Sequence, residues 1–154
     1  DVCIIGEAPG VSEDALGLPF KGPAGDLLQQ IIDRALPVGV TYALTNLVCC
    51  FPAEAKARGD NEPEHNEILA CRPRLVEFVN LCKPRLVVLV GTLAEQYAHG
   101  SDTPEWLPNG STLKYCHIVH PAAILRMPLA QKQMAAQKCI VVIRSAVEDM
   151  LQLR

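Results

Sequence analysis

The stretch Val2-Cys3-Ile4-Ile5-Gly6-Glu7-Ala8-Pro9-Gly10 decides the fold, because a short apolar run ends abruptly in glycine, a carboxylate and proline. Apolar runs bounded in this way are strands covered on both faces, as in parallel sheets. The first strand is therefore set at Asp1–Gly6. Working outward, similar runs recur at Tyr42–Cys49, Arg85–Gly91 and Leu113–Val119. Helical patterns fill the intervals at Ala24–Leu36, Glu67–Cys82 and Thr92–Ala98, and a long last helix runs from Leu129 to about Leu151. Pro73 falls inside the second of these, so a kink or a late start is expected there. The alternation predicts an α/β fold, a three-layer α/β/α domain with a central four-stranded parallel sheet.

Ligands in such sheets bind beyond the carboxyl ends of the strands. Polar constellations stand at three of those ends: the glycine-rich segment Gly6 to Gly25, the pair Thr45-Asn46, and His120-Pro121-Ala122-Ala123-Ile124-Leu125-Arg126. One shared pocket is the expectation.

A chain of 154 residues, 49% of them apolar, has the size of one domain with a substantial core. It holds no charge-free apolar run of about eighteen residues, so no membrane partner is expected. A cytoplasmic, intracellular monomer is the reading. Because Asp1 already lies in the first strand, a segment upstream of it is also expected. The net charge of −3 gives no global signature of nucleic-acid binding. The charge is unevenly placed, however: from Ser111 to Val147 there is no acid, while Lys114, Arg126, Lys132, Lys138 and Arg144 all fall there. Lys132, Lys138 and Arg144 read as solvated helix positions, whereas Arg126 belongs to a motif. Seven cysteines without regular spacing exclude a secreted disulfide framework. Cys3, Cys82, Cys116 and Cys139 lie in apolar runs and read as small core residues.

The chemistry of the first constellation is that of a close backbone approach beside acids. Glycines admit a flat or anionic ligand, and Glu7 and Glu13 bring carboxylates near it. Two acids would repel phosphate, and there is no Lys-Ser/Thr pair of P-loop type, so a phosphate cradle ranks low. Phe20 is presented from a loop between Pro19 and Lys21, where it either stacks on a base or anchors the loop in the core. The Asn46 amide sets a donor beside an acceptor, a match to the N3–H and O4 edge of uracil or, rotated, to cytosine. A turn cap is as common a role for such an asparagine. His120 at a strand end can donate to an oxygen on which negative charge develops. The Leu125-Arg126 pair after it suits a DNA backbone, with an apolar side chain filling the gap of an extruded base.

Taken in order, GEAPG, Glu13-Asp14, the run from Gly17 through Pro19-Phe20 to Ala24-Gly25, Thr45-Asn46, a cysteine-proline turn, Ala70-Cys71 and HPAAxLR resemble the family 4 uracil-DNA glycosylases, which carry an iron-sulfur cluster. The likeness runs from about Val2 to Arg126. It implies a DNA glycosylase that acts on uracil-containing DNA in base-excision repair, flipping the base out and hydrolysing its N-glycosidic bond to leave an abasic site. It further implies that Phe20 stacks on the flipped uracil, that Asn46 reads its polar edge, and that Glu7 with the backbone of Ala8 and Pro9 lines the pocket. Glu7 and Glu13 are the acidic candidates, His120 stabilises the leaving anion, and Ala123, Leu125 and Arg126 contact DNA.

The family's 4Fe-4S cluster takes four cysteines, and Cys50 and Cys71 match two of them. A cluster is therefore expected only if two further cysteines lie upstream of this chain. Cys49 adjoins Cys50, and on a strand only one of them would aim at a shared site. Where the family has basic residues, this chain has Cys49-Cys50-Phe51-Pro52-Ala53, and the following segment to Pro63 carries Lys56, Arg58, Asp60 and Asn61. Two rivals stay open: a non-catalytic DNA-binding module of a larger protein, and a glycosylase for another deaminated base such as hypoxanthine.

Overall fold

The structure is a computed structural model and describes residues 1–52, 62–99 and 113–152. Its elements are β1 (Val2–Gly6), α1 (Val11–Leu16), α2 (Pro23–Ala35), β2 (Tyr42–Asn46), α3 (His65–Cys82), β3 (Leu86–Val90), α4 (Thr92–His99), β4 (Lys114–Ile118), α5 (Pro121–Leu125) and α6 (Leu129–Gln152). The four strands form one parallel sheet in the order β2-β1-β3-β4. All four carboxyl ends therefore open on the same rim.

Alternation along the strands assigns each face its helices. Val2, Ile4, Leu86, Val88, Val90 and Ile118 pack against Leu28, Ile31 and Ile32 of α2 and Ile140, Ile143 and Val147 of α6. Cys3, Ile5, Val87 and Leu89 face the other way, onto Ile68, Leu75 and Val79 of α3 and Ala94 of α4. This is the expected three-layer α/β/α sandwich. No described helix is long and apolar enough to cross a membrane.

Several expectations need correcting. β2 stops at Asn46 rather than Cys49. The Leu47 and Val48 amides still donate to the Gly6 and Glu7 carbonyls at 2.9 and 3.1 Å, but the chain bends away, and Cys49 and Cys50 are both exposed. The expected alternation of these two cysteines thus has no strand to act on. α3 starts early, at His65, because the Glu67 carboxylate accepts from the Glu64 amide at 2.7 Å and fixes the first turn. Pro73 lies within this helix, which is continuous from His65 to Cys82. Cys82 is exposed because it ends α3 on the solvent side, next to an equally exposed Leu81. The short helices α1 and α5 occur where only loops were expected. Lys56, Arg58, Asp60 and Asn61, and most of the loop ahead of β4, lie outside the described residues.

Candidate active site

Two glycines at neighbouring strand ends organise the site. A Cβ on Gly6, the last residue of β1, would collide with the Asn46 amide and lie 3.2 Å from Phe20 Cε1. Just past the end of β3, Gly91 adopts φ of +96°, a left-handed conformation that costs glycine little. A Cβ there would collide with the Glu7 carboxylate and sit 3.1 Å from His120 Cδ2. Glu7, Phe20, Asn46 and His120 therefore converge on one stretch of rim, brought together from four places in the sequence.

Glu7 is half-buried, and its Oε1 accepts from the Leu93 amide at 3.3 Å, in the first turn of α4. Burial raises its carboxyl above the ordinary glutamate value; the Leu93 amide opposes the rise and nearby Glu62 adds to it. Ala8 and Pro9 follow as a half-buried pair, Ala8 packing on the α3 side of the sheet.

His120 caps α5: its Nδ1 accepts from the Ala122 amide at 3.2 Å, and Pro121 supplies the first helical residue. Burial lowers the imidazole's pKa, and the positive charge of Arg126 lowers it further. A neutral ring with Nδ1 accepting carries its proton on Nε2, so the ring presents an N–H donor from its far side.

Phe20 stands at φ of +55°, a strained region for an aromatic residue, and its surroundings hold it there. Glu13 Oε1 accepts from the Lys21 and Gly22 amides, both at 2.9 Å, while Oε2 accepts from Gly10 at 3.1 Å. Gly25, in the first turn of α2, lets the Phe20 backbone lie so close that a Cβ would collide with it. With three backbone amides on it, Glu13 is occupied in tying the loop, unlike Glu7.

Asn46 is buried, 7% exposed, and Thr45 beside it is 6% exposed. Arg74 of α3 holds this strand end, donating through Nη1 to Thr45 Oγ1 at 2.8 Å and through Nη2 to the Asn46 carbonyl at 2.6 Å. In α5, Ile124 is fully buried and anchors the helix, while Ala123 and Leu125 are half-exposed and Arg126 is exposed. Arg126 Nε donates back to the Ala122 carbonyl at 3.2 Å.

Away from the rim glycines, the Cys71 sulfur accepts from the Cys49 amide at 3.5 Å, and the exposed Cys50 follows Cys49 in the chain. All seven cysteines are free. Burial pushes the thiols of Cys3 and Cys116 up to about 12, which makes them poor thiolate ligands. Among the described residues no group of three or more histidine, cysteine or acidic side chains is placed to hold a metal ion. The structure joins Cys71 to the turn through the Cys49 amide and brings no set of donors together there among the described residues.

Sequence reasoning missed Arg74, Gly91 and the loop-tying task of Glu13. Gly91 carried a readable signal, a glycine directly after an apolar strand run. For Arg74 there was none, since an arginine three residues beyond Cys71 on a helix reads as solvated.

Comparison with known proteins places these observations in a family context. A family model described as the Uracil DNA glycosylase superfamily matches residues 1–143. A type-4 uracil-DNA glycosylase of Pyrobaculum aerophilum is 32% identical over 140 residues, covering 82% of this chain and 69% of that protein. One from Saccharolobus solfataricus is 37% identical over 98 residues, 63% of this chain and 43% of that protein. The protein of the same name from Archaeoglobus fulgidus is 26% identical over 149 residues, covering 86% and 71% respectively.

Proposed function

Because the chain belongs to the uracil DNA glycosylase superfamily, we propose that it excises uracil from DNA by hydrolysing the N-glycosidic bond. The observation that carries this reading is the convergence of a carboxylate and a neutral imidazole over Gly91, beside a buried amide and an aromatic ring over Gly6.

The bond to be broken is inaccessible in stacked duplex DNA, so the base must first leave the stack. Phe20 then stacks on the flipped uracil, and the Asn46 amide meets its N3–H and O4 edge. Ala8 and Pro9 line the pocket next to Glu7. As the C1′–N1 bond breaks, its electron pair stays with the uracil, and the resulting anion spreads onto O2. The Nε2–H of His120 is the donor for that charge. Positive charge builds on the sugar at the same time, and the Glu7 carboxylate stabilises it and takes a proton from the attacking water. Water oxygen ends on C1′, the proton taken by Glu7 passes on to the uracil anion through solvent, and the products are an abasic site and free uracil. Glu13 serves as the tie that presents Phe20. Ala123, Leu125 and Arg126 on α5 face the DNA next to the extruded base.

A 4Fe-4S cluster, when bound, would be structural for the turn after β2, with Cys50 and Cys71 giving two of the thiolates it requires. No step of the hydrolysis depends on it.

Incubation with oligonucleotides carrying one uracil, one hypoxanthine or no lesion, with identification of the released base, tests the proposal. Release of uracil alone is the expected result. Release of hypoxanthine in preference to uracil, or tight binding with no base released, would replace this reading with one of its rivals.

A further inference from the structure

Among the described residues β2 is an edge strand, paired only with β1, so one side of its backbone has no strand partner there. At its last residue that lack is filled from another layer: Arg74 Nη2 donates to the Asn46 carbonyl, and Nη1 donates to the hydroxyl of Thr45. Among the described residues no carboxylate pairs with this guanidinium, and its Nε is buried without a hydrogen-bond partner. A charge held against a carbonyl and a hydroxyl, with one donor unsatisfied, is a poor way to stabilise a fold. Its distinct contribution is geometric, because a planar fork fixes two acceptors at once where a lysine ammonium would not. The same helix touches the segment after β2 once more, through the contact of the Cys71 sulfur with the Cys49 amide.

We propose that Arg74 is a positioning residue for base recognition: it fixes the carbonyl of Asn46, and so the direction in which the Asn46 amide meets the base. The proposal rests on the uracil-excising reading above. Uracil and cytosine present donor and acceptor in opposite order on this edge, so an amide free to rotate accepts either. A held strand end fixes where the Asn46 side chain starts, and so how closely its amide reaches that edge of the base.

The test uses the whole chain with Arg74→Met, Arg74→Lys and, as a control, Arg85→Met. Arg85 also donates to a main-chain carbonyl, that of Met150, but at the far end of the sheet from the site. The readouts are single-turnover excision of uracil, inhibition by free uracil and thermal midpoint. Arg74→Met is expected to weaken inhibition by free uracil about tenfold, the scale of losing a charge-assisted hydrogen bond, and Arg74→Lys to recover part of it. Arg85→Met is expected to lower the thermal midpoint while leaving free-uracil inhibition unchanged. Unchanged inhibition in an active, folded Arg74→Met protein overturns the assignment alone. Should Arg74→Met not fold, weakened inhibition by free uracil in a folded Arg74→Lys still decides it, and wild-type-like inhibition there overturns it. A wild type that excises no uracil removes the premise and the assignment together.

Discussion

Burial moves the protons of two site residues, Glu7 and His120, in opposite directions. The Glu7 carboxyl is raised, chiefly by burial, so its ionised, proton-accepting form appears only above the ordinary glutamate range. The His120 imidazole is lowered by burial and by Arg126, so it is neutral at and above its ordinary value, with Nδ1 committed to the Ala122 amide. Excision is therefore expected to rise with pH as Glu7 ionises above the ordinary glutamate range, and not to fall as pH rises through about 6.5, where His120 is already neutral. A single-turnover profile that falls as pH rises through about 6.5 would show that an imidazolium is required instead. His120→Ala is expected to slow excision about 10²-fold or more, by analogy with loss of one oxyanion donor. Turnover at the wild-type rate would remove His120 from the mechanism. These residues were legible in the sequence because each ends a strand run in a polar motif. The opposite pKa directions were not, since they depend on burial that only the assembled rim creates.

Elements position these groups through close contacts that tolerate little change. The turn before α2 holds Phe20 in a left-handed conformation, tied by Glu13 and packed onto Gly25. Gly25→Ala must displace backbone rather than a flexible side chain, which costs about 1–3 kcal/mol in overpacking. A lower thermal midpoint together with weaker inhibition by free uracil is the expected result. A Gly25→Ala protein with wild-type stability and affinity would show that Phe20 does not need its present placement. The strands and long helices were readable because apolar runs and helical periodicity report burial directly. The helices α1 and α5 were not, because they are short and owe their existence to local caps, Glu13 on the Gly10 amide and His120 on the Ala122 amide. β2 was read too long for a related reason: Leu47 and Val48 are buried like strand residues while the backbone has already bent away.

The whole molecule gathers the carboxyl ends of four parallel strands on one rim and sets the cysteine turn beside it. The likeness to type-4 enzymes draws attention to a cluster, yet among the described residues no three histidine, cysteine or acidic side chains are placed together to hold one. The 154-residue chain expressed alone is therefore expected to purify without stoichiometric iron, measured against protein concentration. Stoichiometric iron in that protein would show that its own cysteines suffice. The order of the motifs along the chain made the family legible from sequence, whereas the coupling of α3 to the end of β2 through Arg74 emerged only from the packed layers. Whether this rim excises uracil is decided by cleavage of a labelled oligonucleotide containing a single uracil, treated with alkali after incubation. The wild type is expected to produce strand scission at the uracil, and a Glu7→Ala, His120→Ala double variant is expected to bind without it. Absence of scission by the wild type, or scission undiminished in the double variant, would contradict the account.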